Sequence, residues 1–256
     1  MKHIKKKYLI EKAGGIEHLE KIGEVIDKPD AKALKKAKNK HVFATTEDGK
    51  AFLAFLYNLN GQFTAIPLPD LSLVYFDGAY NLNELRKQEE KLIIGKVKNA
   101  KDGITENMLH DIYRYYGHAS GCIISLFTAL ESFINHIIPN DIPYIKTLSH
   151  KTEYYNKEQI QKNIQFDDKV KSVIPYFFNG KSFNKSESQL NQYIEKLKVL
   201  RDDIVHPKSD ENFKKQEELV KKLLNFQYDK TFEAVAGFMN YYKTSFVEEC
   251  DCGVDM

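Results

Sequence analysis

An arginine and a histidine with four residues between them, Arg201-Asp202-Asp203-Ile204-Val205-His206, stand at the end of an amphipathic run and are followed by Pro207. Guanidinium offers a flat fork of donors and a permanent charge, suited to two phosphate oxygens. Imidazole can both take and give a proton near neutral pH. Together they supply what RNA cleavage without a metal requires, a group that holds the phosphate and a group that moves the proton. The arginine is itself informative, because only Arg86, Arg114 and Arg201 are arginine among 38 lysines and arginines. The competing reading pairs Arg201 with Asp202 or a neighbouring helix and leaves His206 to end its own helix.

A helix must position the pair. Gln189-Leu190, Tyr193-Ile194, Leu197, Leu200 and Ile204-Val205 recur at helical spacing behind Ser186 or Ser188 as a cap, which predicts a helix over 188–205. Five steps along a helix separate Arg201 from His206 by about 7.5 Å along the axis and about 140° around it. A regular helix therefore splays them. Pro207 disfavours helical backbone in the residue before it, so His206 is expected to leave the helix and swing back toward the arginine side.

Upstream, Met108, Ile112, Tyr115, Ala119, Cys122, Leu126, Leu130, Phe133 and Ile137 trace one apolar face from Thr105 to Pro139, the pattern of a central core helix. Gly117 and Gly121 interrupt it at about 1 kcal/mol each relative to alanine, and are expected where another helix comes close or the helix breaks. Either could serve a dimer contact. Further helices are predicted over 167–178, 211–226 and 230–247, giving a bundle of helices. Glu131 and Asn135 share a face of the long helix and are placed to anchor Arg201 or tune His206; a structural salt bridge explains Glu131 equally well. His118 falls about 140° from Glu131 on an ideal helix, and His118 and His136 read as packing or surface residues.

The first hundred residues read differently. Ile16, Leu19, Ile22 and Ile26 form a helical stripe over 15–26, ended by Pro29. β-prone runs follow at 41–46, 51–57 and 63–66, separated by the turn signals Asp48-Gly49 and Asn60-Gly61, and Leu71 to Phe76 reads as another strand. Lysines 32, 35, 36, 38 and 40, with the rings of His41 and Phe43, suit either a nucleic-acid strip or a solvated helix face. The expected fold is α+β overall: a small antiparallel meander with helices in a domain over 1–100, then an all-α bundle over 101–256 ending in a short flexible tail.

The run Gly121 to Asn135, with Thr128-Ala129-Leu130-Glu131 ahead of Phe133, and the Arg201 to His206 motif together resemble the HEPN superfamily over about residues 105 to 248. Its ribonuclease members carry arginine, a polar residue (here Asp202) and a histidine at this spacing. The resemblance implies a metal-independent endoribonuclease in which the motifs of two chains meet across a homodimer. Arg201 would hold the scissile phosphate and His206 would act as general base or acid, with no cofactor. It also implies a toxin or antiviral defence effector restrained or triggered by a regulatory protein partner. Some members carry a tyrosine two residues after the histidine; Lys208 stands there, which sets aside any mechanism through that tyrosine. Other members are non-catalytic modules that bind a partner protein or a nucleotide, and that reading stays open.

Composition limits the remaining choices. A net charge of +2 gives no global field for polyanions, so RNA contact must come from local clusters. No run of eighteen apolar residues and no leader pattern occurs, so a cytoplasmic protein without membrane contact is expected. Three cysteines, two of them in Cys250-Asp251-Cys252, give neither a disulfide framework nor a second ligand pair for a metal. Gly14-Gly15 is too short for a phosphate loop, and neither a His-Glu-x-x-His nor a Gly-x-Ser-x-Gly pattern is present. A DNA-binding regulator lacks a helix-turn-helix signature.

Overall fold

The computed structural model describes residues 3–8, 23–26, 30–37, 41–45, 51–99, 103–208 and 210–250. The fold is α+β. The chain divides into two compact units, Lys6–Val74 and a larger one made of Met1–Lys5 with Tyr75–Met256, so the division falls well before residue 100, where composition placed it.

In the smaller unit, β1 (Gly23–Ile26), β2 (His41–Thr45), β3 (Ala51–Leu59) and β4 (Gln62–Pro67) form one sheet in that order. The β2 to β4 part is the expected antiparallel meander, and Asn60 and Gly61 turn it with φ of 52° and 87°. β1 pairs in parallel with β2 through the helix α1 (Ala31–Ala37). Gly23 to Ile26 are therefore strand rather than the end of a helix; residues 15–22, Lys38, Lys40 and the Asp48-Gly49 turn lie outside the described residues. Ala37, Val42 and Ala54 form the core under α1, while Phe43 is buried with Ala51, so Phe43 offers no free ring for stacking.

Leu71 to Phe76 is not a strand. It opens the helix α2 (Leu71–Asn99), because the Asp70 carboxylate accepts the Ser72 N–H at 2.9 Å and the Asp70 carbonyl accepts the Val74 N–H at 3.0 Å. A six-residue run interrupted only by Ser72 carries no decisive period, and the cap decided between the alternatives.

The larger unit is built around α3 (Glu106–Ile137), capped by Thr105, whose hydroxyl accepts the Met108 N–H. Its apolar face is buried as expected, against the other helices of the unit. A Cβ at Gly121 would come within 3.2 Å of Leu82 on α2, so this glycine permits a close helix approach; at Gly117 nothing lies within 4 Å. The bundle is not all-α. After Pro139 the chain forms a hairpin of β5 (Tyr144–Thr147) and β6 (Thr152–Tyr155), then the short helix α4 (Lys157–Asn163). Next comes α5, a continuous helical run over 166–177 with π-type turns at Lys169–Val173. A short turn α6 (Phe183–Ser186) leads to α7 (Ser188–Val205), α8 (Lys214–Asn225) and α9 (Tyr228–Tyr242). α9 ends before residue 247, and Asn240 instead grips the returning chain, its Oδ1 accepting the Val247 N–H at 2.8 Å. Phe246 and Val247 are buried and Ile4 bridges to Glu249, so the chain is packed up to there; residues 251–256 of the expected tail lie outside the described residues. Phe133 stacks on Phe246 at 4.8 Å, fixing that return against α3.

Candidate functional site

α7 forms where the periodicity placed it, burying Asn191, Ile194, Leu197 and Leu200. No side chain caps its start: Glu187, not a serine, occupies the cap position. The burial of Leu197 and Leu200 turns Arg201 onto α3, where its guanidinium carbon lies 3.9 Å from the Phe127 ring centroid. Phe127 is fully buried and meets Phe166 of α5 at 4.8 Å, so the platform under the arginine is rigid. Arg201 Nη1 pairs with Asp202 at 2.9 Å, and the side chain stays 24% exposed. Its Nε is buried without a hydrogen-bond partner among the described residues. Asp202 also meets Lys198 at 3.4 Å, and Lys198 reaches Asp167 at 3.6 Å. These are partly exposed pairs that orient more than they stabilise.

His206 follows the last helical residue with φ −122° and ψ 64°, as Pro207 requires, and is exposed. Its N–H donates to the Asp202 carbonyl at 2.9 Å. Asp202 thus fastens both members of the motif, holding the guanidinium with its carboxylate and the histidine backbone with its carbonyl. Among the described residues no hydrogen bond joins the His206 ring to Arg201. Asp203, next in the motif, is held by Lys222 of α8 at 2.7 Å, which ties the end of α7 to its neighbour.

Asp202 supports Arg201 as expected, whereas Glu131 and Asn135 face a different cation. Lys169 is only 2% exposed, and its ammonium donates to Asn135 Oδ1 at 3.0 Å and to the Gln161 carbonyl at 3.2 Å. Burial holds it below the ordinary lysine range, and the charge of Glu131 works against that fall. Arg201 is held by Asp202 and Phe127, and no hydrogen bond or ion pair among the described residues links it to Glu131 or Asn135. Lys157 and Gln161 donate to the His136 and Asn135 carbonyls at 3.4 and 3.5 Å, so the C-terminal end of α3 is closed by donors from α4. Sequence reading missed Lys169, although a signal existed: it sits with Val170, Val173 and Ile174 on one apolar stripe, all four buried. A lysine in a stripe position marks either an error of pattern or a partner waiting inside.

His118 keeps a buried Nδ1 without a partner among the described residues, and His136 is exposed. Cys122 is buried and its thiol is pushed up to about 12, which removes it as a nucleophile. Among the described residues no three histidine, cysteine or acidic side chains converge as metal ligands. Family models, curated proteins and solved structures offer no match to this chain.

Proposed function

We propose that the chain is a metal-independent endoribonuclease of the HEPN type, acting on RNA in the cytoplasm as a homodimer and serving as a toxin or antiviral defence effector under a regulatory protein. The observation that carries this reading is the end of α7, where a guanidinium fixed on Phe127 and Asp202 is followed by an exposed imidazole released from the helix by Pro207. Arg201 would hold the non-bridging oxygens of the scissile phosphate and stabilise the charge that builds on them. His206 would take the proton of the ribose 2′-OH as that oxygen attacks phosphorus, and an imidazolium would return a proton to the departing 5′-oxygen. One imidazole per chain, unbonded to its own arginine, suits a site in which two copies supply the two proton-transfer groups. The products would be a 2′,3′-cyclic phosphate and a 5′-OH.

The ion pair between Arg201 and Asp202 favours a second reading, in which the bundle binds a partner protein or nucleotide and the arginine only braces α7. Incubation of the purified protein with labelled RNA in EDTA separates the two. Cleavage leaving cyclic-phosphate ends, lowered about 10²–10⁴-fold in folded His206→Ala protein, supports the enzyme. Cleavage that survives His206→Ala, or that appears only with divalent metal, rejects it.

A further inference from the structure

Two clefts flank α7, and they differ in their relation to Arg201. The larger, about 530 Å³, lies toward α8 and is lined by Gln192 and Lys196 among others. These stand about 180° and 140° around the helix from Arg201, on the far side. The smaller, about 320 Å³, lies between α5 and α7; it shares Glu195 and Val199 with the larger but is also lined by Ile194 and Lys198, about 20° and 60° from Arg201. It also reaches Arg201 through two chains of contact. Its wall Phe166 stacks on Phe127, which carries the guanidinium, and its Lys198 binds Asp202, which holds the same guanidinium.

The lining of this smaller cleft has the chemistry of a nucleotide seat. Phe166 presents a ring whose position is fixed from behind. The Asn191 amide is buried, 8% exposed, and donates to Glu195 at 2.9 Å, which leaves its Oδ1 as an acceptor. Asn184 accepts a hydrogen bond from Ser182 and so turns its amide donors to other partners. An acceptor and a donor on the same cleft match the alternating edge of a nucleobase, and a volume of this size is at the lower end of small-ligand sites. Lys171 at the exposed rim offers an ammonium for phosphate, beside Lys198, whose ammonium also meets Asp167 and Asp202, while Asp167 and Glu195 add carboxylates to the wall.

We infer that the cleft between α5 and α7 seats the nucleotide next to the scissile phosphate, its base against Phe166 between Asn184 and Asn191 and its phosphate at Lys171 and Lys198. The inference rests on the ribonuclease reading for the identity of the neighbouring phosphate. Specificity then lies in the amides, of which Asn191 stands nearly three helical turns, about 15 Å, before Arg201 on α7.

The test is binding, measured apart from cleavage. A fluorescein-labelled tetraribonucleotide is titrated in EDTA against full-length His206→Ala protein, and anisotropy is read. Lys171→Glu, at an exposed rim position, and Asn184→Trp, which fills the cleft, should each weaken binding about tenfold with the melting temperature retained. Lys181→Glu reverses an exposed charge that does not line the cleft and should leave affinity unchanged. Equal affinity in the first two variants, an equal loss in Lys181→Glu, or no binding by the His206→Ala parent would each overturn the cleft assignment. If wild-type protein cleaves RNA while the cleft variants bind normally, the nuclease reading stands and the subsite falls. If the variants lose binding while wild type leaves RNA intact, the subsite stands without the nuclease.

Discussion

Arg86 and Arg201 each place a guanidinium carbon 3.9 Å from an aromatic centroid, Tyr228 in one case and Phe127 in the other. Their surroundings differ. Arg86 is 6% exposed, its Nε donates to Asn83 at 2.9 Å and its Nη1 meets Glu90 at 2.6 Å, so the fork is consumed inside the fold. Around it, Asn83 is itself buried and the Tyr228 hydroxyl donates to the Leu223 carbonyl at 3.0 Å. Among the described residues, Arg201 has one ion pair, to its sequence neighbour, and an Nε with no partner. Two arginines in a lysine-rich chain thus use the same stacking for opposite ends. One is a brace with its donors spent, and the other is held in place with donors unspent.

The comparison breaks most readily on stability. Arg86→Ala removes a buried charge and leaves Asn83 and Glu90 without their partner, a loss of about 3–5 kcal/mol. Arg201→Ala loses a partly exposed ion pair and its stacking, about 1 kcal/mol. Urea unfolding of the two variants reads the difference directly. Equal losses would make Arg201 a second brace and would move the balance to the binding-module reading.

A second experiment keeps the charge and changes its shape. Arg201→Lys preserves a cation near Phe127 but removes the planar fork, so RNA cleavage in EDTA should fall about 10²-fold, near 2.7 kcal/mol, with little change in the urea midpoint. Arg86→Lys should do the reverse, lowering stability by more than 1 kcal/mol, about what two broken hydrogen bonds cost, with activity retained in the folded fraction. If Arg201→Lys cleaves like wild type, bidentate phosphate binding is not what this arginine does.

Much of this contrast was legible in the sequence and some was not, for physical reasons. The period of Leu190, Ile194, Leu197 and Leu200 specified α7, and Pro207 specified where it ends, because both are local effects of backbone geometry. The fate of Arg86 was hidden, since Glu90 at i+4 is a partner any surface helix offers, while Tyr228 comes from a distant helix and only packing brings it under the guanidinium. Glu131 and Asn135 were rightly placed on one face, but face alone does not choose between cations. Lys169 meets Asn135 from the start of the π-type turns, and a widened turn has no reliable sequence signature. The β5–β6 hairpin and the parallel β1 were missed because four-residue runs are too short to show their period.

Lys169 provides a third cation for the comparison, buried like Arg86 but titratable. Its folded-state value lies below the ordinary 10.5, so the unfolded chain binds the proton more tightly. Stability from this residue therefore rises with pH between its folded value and the ordinary lysine value, and is penalised below that window. Wild type should gain stability on Lys169→Met across this interval, measured by urea unfolding of both proteins from neutral pH upward. The comparison between the two proteins cancels the opposing trend from the buried tyrosines, whose folded-state values are raised. A difference that is flat in pH would mean the Asn135 and Gln161 contacts fully offset the burial of the charge.

The smallest effect concerns Phe213, which precedes α8 in the left-handed region at φ 55° with its ring 71% exposed and no side-chain cap hydrogen bond. A bulky residue costs about 1 kcal/mol in this conformation, and an exposed ring returns little of it. Phe213→Gly should therefore stabilise the protein by about 0.5–1 kcal/mol, seen as a higher urea midpoint. Cleavage decides where the residue belongs. Unchanged activity would make the strain an accident of the loop between α7 and α8. A more stable protein that cleaves RNA more slowly would place Phe213 with Arg201, as a group kept in an unfavourable state because the reaction uses its exposed ring.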